Sequence, residues 1–134
     1  MTSYDEIPVS TDQRCRWVDI TEAVQRVIAH RGLRCGICTA SSLHTTAGIT
    51  INENADPSVG RDFFWKLEKL IPQQDGYRHA EGNSDSHLKA SLVGLSAVIP
   101  VNEGRLVLGT WQAVYFCEFD GPRSRTVGIT LVGE

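Results

Sequence analysis

The sequence predicts an α+β fold, a compact single domain in which a few helices pack on a mainly antiparallel sheet or sandwich. Segments of helical and extended character follow one another without the regular alternation of a parallel βα fold, and the second half of the chain is mostly extended. At 134 residues the chain fits one domain, expected to span 1–134. A chain of this length buries roughly two-thirds of its unfolded surface, so it needs no metal or disulfide merely to fold.

The first half of the chain alternates predicted strands with predicted helices. In order, they are strands at 4–9 and 14–18, a helix from 19–21 to Gly32, strands at 33–40 and 47–51, and a helix from Asp56 to Ile71. The strands are rich in β-forming residues, and the first helix has apolar residues at helical spacing. Asp19 or Thr21 can cap that helix, and Gly32 is a natural stop. His30 suits the negative end of the helix better than a ligand role.

The second helix has a start and an end that can be read from residue types. Asp56 stands where an N-cap is expected, Pro57 at the first helical position, and Pro72 after the last turn. Capping alone explains an aspartate at 56, whereas its polar neighbours favour a place at a functional site. The sequence leaves both interpretations open.

The second half of the chain begins with a long polar connection and a short helix. That helix is expected to start at Ser84 or Asp85 and to reach Leu92. The strands predicted after it lie at 96–101, 106–108, 111–118 and 126–132. Asn102-Glu103-Gly104 has the composition of a hairpin turn between the first two of them.

Composition and charge exclude several classes of protein. The net charge of −3 gives no electrostatic footprint for nucleic acid or anionic lipid, which would call for a clustered basic surface, so the sequence predicts no binding to either. The longest apolar runs are far shorter than the roughly 20 residues of a membrane span. The N-terminus lacks the basic start and apolar core of a signal peptide, so we expect a cytoplasmic protein.

The four cysteines are expected to be reduced and buried. Cys35 and Cys38 have the spacing of a redox pair, but they lie in a predicted strand, where residues three apart point to opposite faces. Cys15 and Cys117 stand among apolar or aromatic neighbours. Thiols of this kind in a cytosolic protein are usually unpaired.

A polar segment from Tyr77 to Lys89 is the strongest candidate for a functional site. It holds two of the four histidines, His79 and His87, and it lies between long apolar segments. Such a segment is usually a solvated loop, but function is often carried by loops held on a rigid scaffold. We therefore expect this segment to contribute to the site.

Three histidines form a candidate metal centre. His44, His79 and His87 lie in polar surroundings, and three imidazoles with an open fourth position suit a catalytic zinc or another divalent ion such as magnesium. Their spacing matches no known ligand motif, so separate placement stays open. The nearest candidate acids, bases or orienting carboxylates are Glu53, Asp56 and Glu81.

Two further groups of residues suit a phosphorylated substrate. Asp120-Gly121-Pro122 predicts a tight turn, and the arginines after it, Arg123 and Arg125, can clamp a phosphate. Lys89, Thr45 and Thr46 are candidates to assist them. Trp111-Gln112 can stack on and hydrogen-bond a heterocycle, although Trp111 suits a core position as well. Solvated arginines are the ordinary alternative.

Several motifs together resemble one known family. In chain order they are His44-Thr45-Thr46-Ala47, Asn52-Glu53-Asn54-Ala55-Asp56-Pro57, His79-Ala80-Glu81-Gly82-Asn83 through His87-Leu88-Lys89, Pro100-Val101, Leu108-Gly109-Thr110-Trp111-Gln112 and Asp120-Gly121-Pro122-Arg123. This order is similar to that of the YjbQ family and extends from about Asp19 to Gly133. Ser86, where the family pattern favours Ala, is a small-for-small departure. The segment 123–125 also departs, since the family often has adjacent basic residues there.

The resemblance implies a compact α+β fold, a homotrimer and a polar site near the subunit contacts. It implies that His44, Asp56, His79 and His87 form the polar or metal centre. The residues implied to line or support that centre are Glu53, Asn83, Trp111, Gln112 and Arg123.

The resemblance also implies the activity of a secondary thiamine-phosphate synthase. Such a transferase joins a pyrimidine methyl diphosphate to a thiazole phosphate and releases diphosphate. A divalent cation with Arg123 or Lys89 would stabilise the departing diphosphate. Two alternatives are a metal-dependent hydrolase of a small phosphorylated or acylated metabolite, and a non-enzymatic trimeric protein that binds a metal or metabolite. Fold resemblance alone does not decide among them.

Overall fold

The computed structural model describes all 134 residues and confirms the predicted α+β class. The strands are β1 (Thr2–Ser10), β2 (Arg16–Asp19), β3 (Gly36–Ser42), β4 (Ala47–Glu53), β5 (Ser96–Asn102), β6 (Arg105–Leu106), β7 (Gln112–Glu118) and β8 (Ser124–Gly133). The helices are α1 (Thr21–Arg31), α2 (Pro57–Leu70) and α3 (Ser84–Val93). No helix is long and apolar enough to cross a membrane.

The strands form two antiparallel sheets. The five-stranded sheet has the order β1-β8-β3-β5-β6, and the three-stranded sheet has the order β2-β7-β4. Alternate side chains of β1, β3, β5 and β8 meet those of β4 and β7 in the main core, which α1 completes through Val24 and Ile28. The molecule is therefore a sandwich whose main core lies between the sheets.

The other face of the three-stranded sheet carries a second, smaller core. Tyr115, Cys117 and Phe119 pack there with Leu67 of α2 and Ala90 of α3. Strand β7 is consequently covered on both faces, which explains why every residue from Ala113 to Glu118 is buried. Helices α2 and α3 form the outer layer on this side.

Helix ends follow the residue types at both ends of α2, at the end of α1 and at the start of α3, but not at the start of α1. Asp56 caps α2, because its carboxylate accepts the backbone N–H of Ser58 at 2.9 Å. Gly32 ends α1 with a left-handed φ of 70°, which glycine adopts without steric cost. The start of α1 differs from the prediction, since Ile20 takes the N-cap position. Asp19 accepts the Thr21 N–H at 2.9 Å, and the Thr21 hydroxyl accepts from Val114 N instead.

The strand that was predicted at 33–40 begins later and corrects the expectation for the cysteines. Leu33 is a buried loop residue and β3 starts at Gly36, so Cys35 precedes the strand and is exposed. Cys38 and Cys117 are buried as predicted, Cys15 is half-buried, and none of the four forms a disulfide. Burial raises the pKa of Cys38 to about 11 and that of Cys117 to about 12, so both remain thiols at neutral pH.

The chain crosses twice between the sheets at one corner of the sandwich. The first crossover, 43–46, joins β3 to β4, and the second, 119–123, joins β7 to β8. The two crossovers are adjacent because Ala47 pairs with Glu118 and Ser42 pairs with Val127. Phe119 N also donates to Thr46 O at 3.2 Å. This corner positions the candidate site.

Candidate functional site

A polar pocket of about 370 Å³ lies at the corner where the two crossovers meet the start of α3. Eight of the residues predicted for the site line it: His44, Thr45, Thr46, Glu81, Asn83, His87, Arg123 and Arg125. The remaining lining residues are Leu43 and Asp120. The two crossovers and α3 are distant in sequence, and the sheet register brings them together.

His44 is held in one tautomer by the backbone of β8. Its Nε2 accepts the N–H of Thr126 at 2.9 Å, so Nε2 carries a lone pair and the neutral ring carries its proton on Nδ1. Desolvation, assisted by the charge of Arg125, lowers the pKa of His44, which keeps the ring neutral at pH 7. His44 therefore offers an Nδ1–H donor, for which the chain supplies no partner.

Arg123 is fixed along one part of its guanidinium group. Its Nε donates to Asp120 O at 2.9 Å and its Nη2 donates to the Asp120 carboxylate at 3.1 Å. Asn83 Nδ2 donates to the same carboxylate oxygen at 2.8 Å. Arginine has five N–H donors, so several remain free on a side chain that is 54% exposed. The structure thus presents an oriented cation at the pocket.

Arg125 differs from Arg123 because both its guanidinium group and its carboxylate partner are buried. Its Nε donates to Glu118 Oε1 at 2.8 Å, its Nη2 donates to Glu118 Oε2, and Nη2 also donates to the Thr46 hydroxyl at 2.9 Å. Burial acts to raise the pKa of Glu118, but bonds from Arg125, the Asp120 N–H and Thr11 outweigh it and lower the pKa. This buried ion pair links β7 to β8, and its Arg125 lines the pocket.

The three histidines do not assemble as metal ligands within one chain. His79 and His87 lie edge to face with ring centroids 5.3 Å apart, but His79 lines a neighbouring pocket on the 73–84 loop. The tautomer of His44 leaves no lone pair on Nδ1, and its Nε2 is taken by Thr126. No group of three His, Cys, Asp or Glu side chains in the structure is arranged to hold a metal ion. The residues do not fit the predicted zinc or magnesium centre in this arrangement, which stays a prediction.

Lys89 lies away from the pocket in a buried ion-pair network. Its ammonium group contacts Asp85 at 2.9 Å and Glu68 at 2.6 Å, and its side chain is only 2% exposed. Arg14 completes the network through Asp85 at 3.0 Å. Lys89 therefore supports α3 from within, and the structure does not bring it to the predicted phosphate clamp.

The remaining predicted site residues lie at the opposite end of the three-stranded sheet. Glu53 pairs with Gln112 at the far end of the β4–β7 ladder, and Asn54 N donates to Trp111 O at 2.9 Å. Asp56 follows directly and caps α2. Six residue steps along a strand separate this group from the pocket, roughly 20 Å. One chain therefore does not combine Trp111 and Gln112 with Arg123.

Sequence reasoning missed two members of the site region, Glu118 and Asp120. Glu118 ends an apolar strand and is fully buried, yet its charge is needed to hold Arg125. A charged residue that continues an apolar run is a signal for a buried ion pair, because an unpaired buried carboxylate is costly. Asp120 was assigned only to a turn, although its carboxylate binds both Asn83 and Arg123.

Comparison with known proteins identifies the family. A family profile described as UPF0047 protein YjbQ-like matches residues 5–134. The chain belongs to this family. Among its UPF0047 relatives, YugU of Bacillus subtilis is 45% identical over 128 residues, which cover 95% of this chain and 97% of YugU. A UPF0047 protein of Methanocaldococcus jannaschii is 47% identical, with 94% of this chain and 91% of the relative covered.

Solved structures of UPF0047/YjbQ-like proteins share the fold along nearly the whole chain. A Clostridium acetobutylicum family member, described as uncharacterized, has a TM-score of 0.94 and 46% identity, with 96% of this chain and 99% of that one covered. A Sulfolobus solfataricus protein, described as of unknown function, has a TM-score of 0.95 and 34% identity, with 100% and 99% covered. The family membership that the motifs predicted is confirmed.

The predicted thiamine-phosphate synthase-type transferase is wrong on these comparisons. The relatives carry the UPF0047 family name alone, and the Sulfolobus structure is described as of unknown function, so none of them indicates that activity. The metal-dependent hydrolase and the non-enzymatic metal- or metabolite-binding protein gain no support from these comparisons either. The geometry agrees with the correction, since the predicted heterocycle surface and the predicted phosphate clamp lie at opposite ends of one ladder.

Proposed function

We propose that the chain binds a small phosphorylated molecule in the pocket formed by His44, Thr45, Asn83, His87 and Arg123. The observation that carries this proposal is the convergence of unpaired hydrogen-bond donors from the two crossovers. Arg123 supplies free guanidinium N–H groups, His44 supplies Nδ1–H, and the exposed Thr45 supplies a hydroxyl. A phosphate offers three acceptor oxygens and at least one negative charge, which complements this set.

The exposed guanidinium of Arg123 and the start of α3 lie together at this pocket. Arg125 is buried in its ion pair with Glu118, whereas Arg123, which pairs with Asp120, is 54% exposed and keeps accessible N–H donors. Asn83 immediately precedes α3, and His87 lies in its first turns, so the positive end of the helix borders the pocket. A phosphate would therefore meet an oriented cation and a favourable backbone field together.

Removal of Arg123 tests the proposal directly. We expect Arg123→Ala to weaken the binding of inorganic phosphate and of a phosphate monoester by roughly 10- to 100-fold, since a hydrogen bond to a charged group contributes about 1.5–3 kcal/mol. Isothermal titration calorimetry measures the change. Arg105→Ala is the matched control, because Arg105 is exposed on β6 and lines a different pocket. Equal affinities of the two variants would contradict the assignment.

We further propose that the chain assembles as a homotrimer, as the family resemblance implies. What supports self-association is the outer face of the five-stranded sheet, on which Tyr4, Ile37, Val98 and Val132 are each about half exposed or more. Ile37 pairs with Val132, and Thr39 pairs with both Val98 and Thr130, the partner of Tyr4, so the exposed groups are neighbours. We call these four residues the outer patch. An apolar patch on a sheet face is typical of a contact surface.

A further inference from the structure

The pocket contains acceptors as well as donors, and a phosphate alone leaves the acceptors unused. Asp120 and Glu81 bring carboxylates to the lining. Asn83 lines it too, and its Nδ2–H bond to Asp120 fixes the orientation of the amide. This orientation leaves Asn83 Oδ1 buried without any hydrogen-bond partner. Buried acceptors are normally satisfied, so Asn83 Oδ1 keeps the capacity to accept a hydrogen bond.

The walls of the pocket are unsuited to an aromatic or extended apolar ligand. Leu43 is its one apolar residue among ten, and Leu43 is itself 49% exposed. Ligand sites for ring systems are usually lined by apolar and aromatic side chains. The exposed Trp111 lies at the far end of the β4–β7 ladder and supplies no such surface here. Burial of a ring would therefore gain little at this site.

We infer that the ligand is a phosphorylated polyol or sugar, whose phosphate binds Arg123 and His44 while its hydroxyls donate to Asp120, Glu81 and Asn83. This inference rests on the proposed phosphate binding and adds the class of the group that carries the phosphate. Hydroxyl groups are donors as well as acceptors, so they can donate to carboxylate and amide oxygens with which an alkyl chain forms no hydrogen bond. A volume of about 370 Å³ suits a molecule of this size.

The experiment compares four probes on the wild-type chain by isothermal titration calorimetry. They are inorganic phosphate, glycerol phosphate, propyl phosphate and phenyl phosphate. Glycerol phosphate and propyl phosphate have the same chain length and differ in two hydroxyls. The ratio of their affinities therefore measures what the hydroxyls contribute by donating to the acceptors of the pocket. We expect glycerol phosphate to bind about tenfold or more tightly than propyl phosphate, because its hydroxyls donate to acceptors with which the alkyl chain forms no hydrogen bond. Phenyl phosphate is expected to bind no more tightly than propyl phosphate.

Substitution of Asn83 tests whether the preference for glycerol phosphate arises in this pocket. We expect Asn83→Ala to reduce severalfold the ratio of the affinities for glycerol phosphate and propyl phosphate, whereas Asn54→Ala leaves this ratio unchanged. Asn54 is the matched control because it is exposed at the far end of the three-stranded sheet. Thermal unfolding verifies that both variants are folded. If Asn83→Ala fails to fold, the wild-type probe series still decides the question.

The outcomes separate the inference from the proposal on which it rests. If none of the four probes binds, the proposed function itself fails. If propyl or phenyl phosphate binds as tightly as glycerol phosphate, phosphate binding stands and the polyol assignment is overturned. A preference for glycerol phosphate that Asn83→Ala retains in full would overturn the role given to Asn83.

Discussion

At the scale of single residues, hydrogen-bond partners decide which charged or titratable groups are available for binding. Arg123 and Arg125 are two residues apart and each pairs with a carboxylate, but Arg125 is buried with Glu118 whereas Arg123 is 54% exposed beside Asp120. His44 and His87 line the same pocket, yet the Thr126 N–H fixes the tautomer of His44 alone. Residue type therefore predicts the candidates, and the partners select among them.

The bond between His44 and Thr126 predicts a pH dependence of stability. Protonation of Nε2 breaks this bond, and the folded-state pKa of His44 lies below its ordinary value of 6.5, chiefly through desolvation. The unfolded chain then binds more protons than the folded chain, so the contribution of His44 is present above pH 6.5 and is lost as pH falls through the folded pKa. We expect the Tm of the wild type to fall more between pH 7 and pH 5 than that of His44→Gln.

Glutamine suits this comparison because its side-chain oxygen accepts the Thr126 N–H and does not titrate. His30→Gln is the control, since His30 is exposed at the end of α1. Thermal unfolding followed by circular dichroism across this pH range measures the slopes. Identical slopes for the wild type and His44→Gln would show that His44 does not carry the effect.

At the scale of elements, α3 is positioned by a buried charge network rather than by its own amphipathicity. Asp85 is fully buried in its first turn and binds Arg14 and Lys89, while Ser86 Oγ donates to Phe119 O at 2.5 Å. These bonds tie the start of α3 to the chain before β2 and to the β7–β8 crossover. The pocket walls that carry Asn83 and Asp120 are held together as a consequence.

Loss of Asp85 is expected to be strongly destabilising. Asp85→Ala leaves Lys89 buried with a partly exposed Glu68 as its remaining partner, and breaking a buried pair costs about 3–5 kcal/mol. Urea unfolding measures the difference from the wild type, and Asp75→Ala on the exposed loop is the control. A loss below about 1 kcal/mol, the size expected of a surface pair, would contradict a structural role for the network.

Substitution of Asp56 separates its two sequence interpretations. We expect Asp56→Ala to lower the free energy of unfolding by about 0.5–2 kcal/mol, because the Ser58 N–H loses its partner. Phosphate affinity is expected to stay unchanged, since Asp56 lies at the far end of the ladder. Asp62→Ala, within α2 and exposed, is the control for the loss of a charge. A drop in phosphate affinity with Asp56→Ala alone would place this residue at the site after all.

The elements could be predicted from the sequence because their signals are local. Asp56-Pro57 and Gly32 mark helix ends through backbone geometry, and Asn102-Glu103-Gly104 turns the chain with positive φ at Glu103 and Gly104, as the hairpin prediction requires. The composition of the pocket could not be predicted in the same way. It depends on the register that pairs Ala47 with Glu118, which no short stretch of sequence encodes.

At the scale of the whole molecule, the sandwich places the candidate site residues of one chain in two separate groups. It also leaves the outer face of the five-stranded sheet uncovered. The pocket lies at one end of the β4–β7 ladder, and Glu53, Trp111 and Gln112 lie at the other. Helices α2 and α3 cover the three-stranded sheet, and α1 completes the main core. The outer patch on the five-stranded sheet is thus the apolar surface that a second copy would cover.

A charge introduced into the outer patch is expected to dissociate the proposed homotrimer into single chains. Val98 is 63% exposed on β5, at one edge of the patch, and Val98→Lys would place an unpaired ammonium on this apolar surface, which is costly once the surface is buried. We expect the wild type to elute with three times the 14.8 kDa mass of one chain, and Val98→Lys with that of a single chain, as measured by size-exclusion chromatography with light scattering. Leu70→Lys is the matched control, because Leu70 is 62% exposed at the end of α2 in the opposite layer. A wild-type monomer would refute the homotrimer, and a Val98→Lys trimer would move the contact to another face.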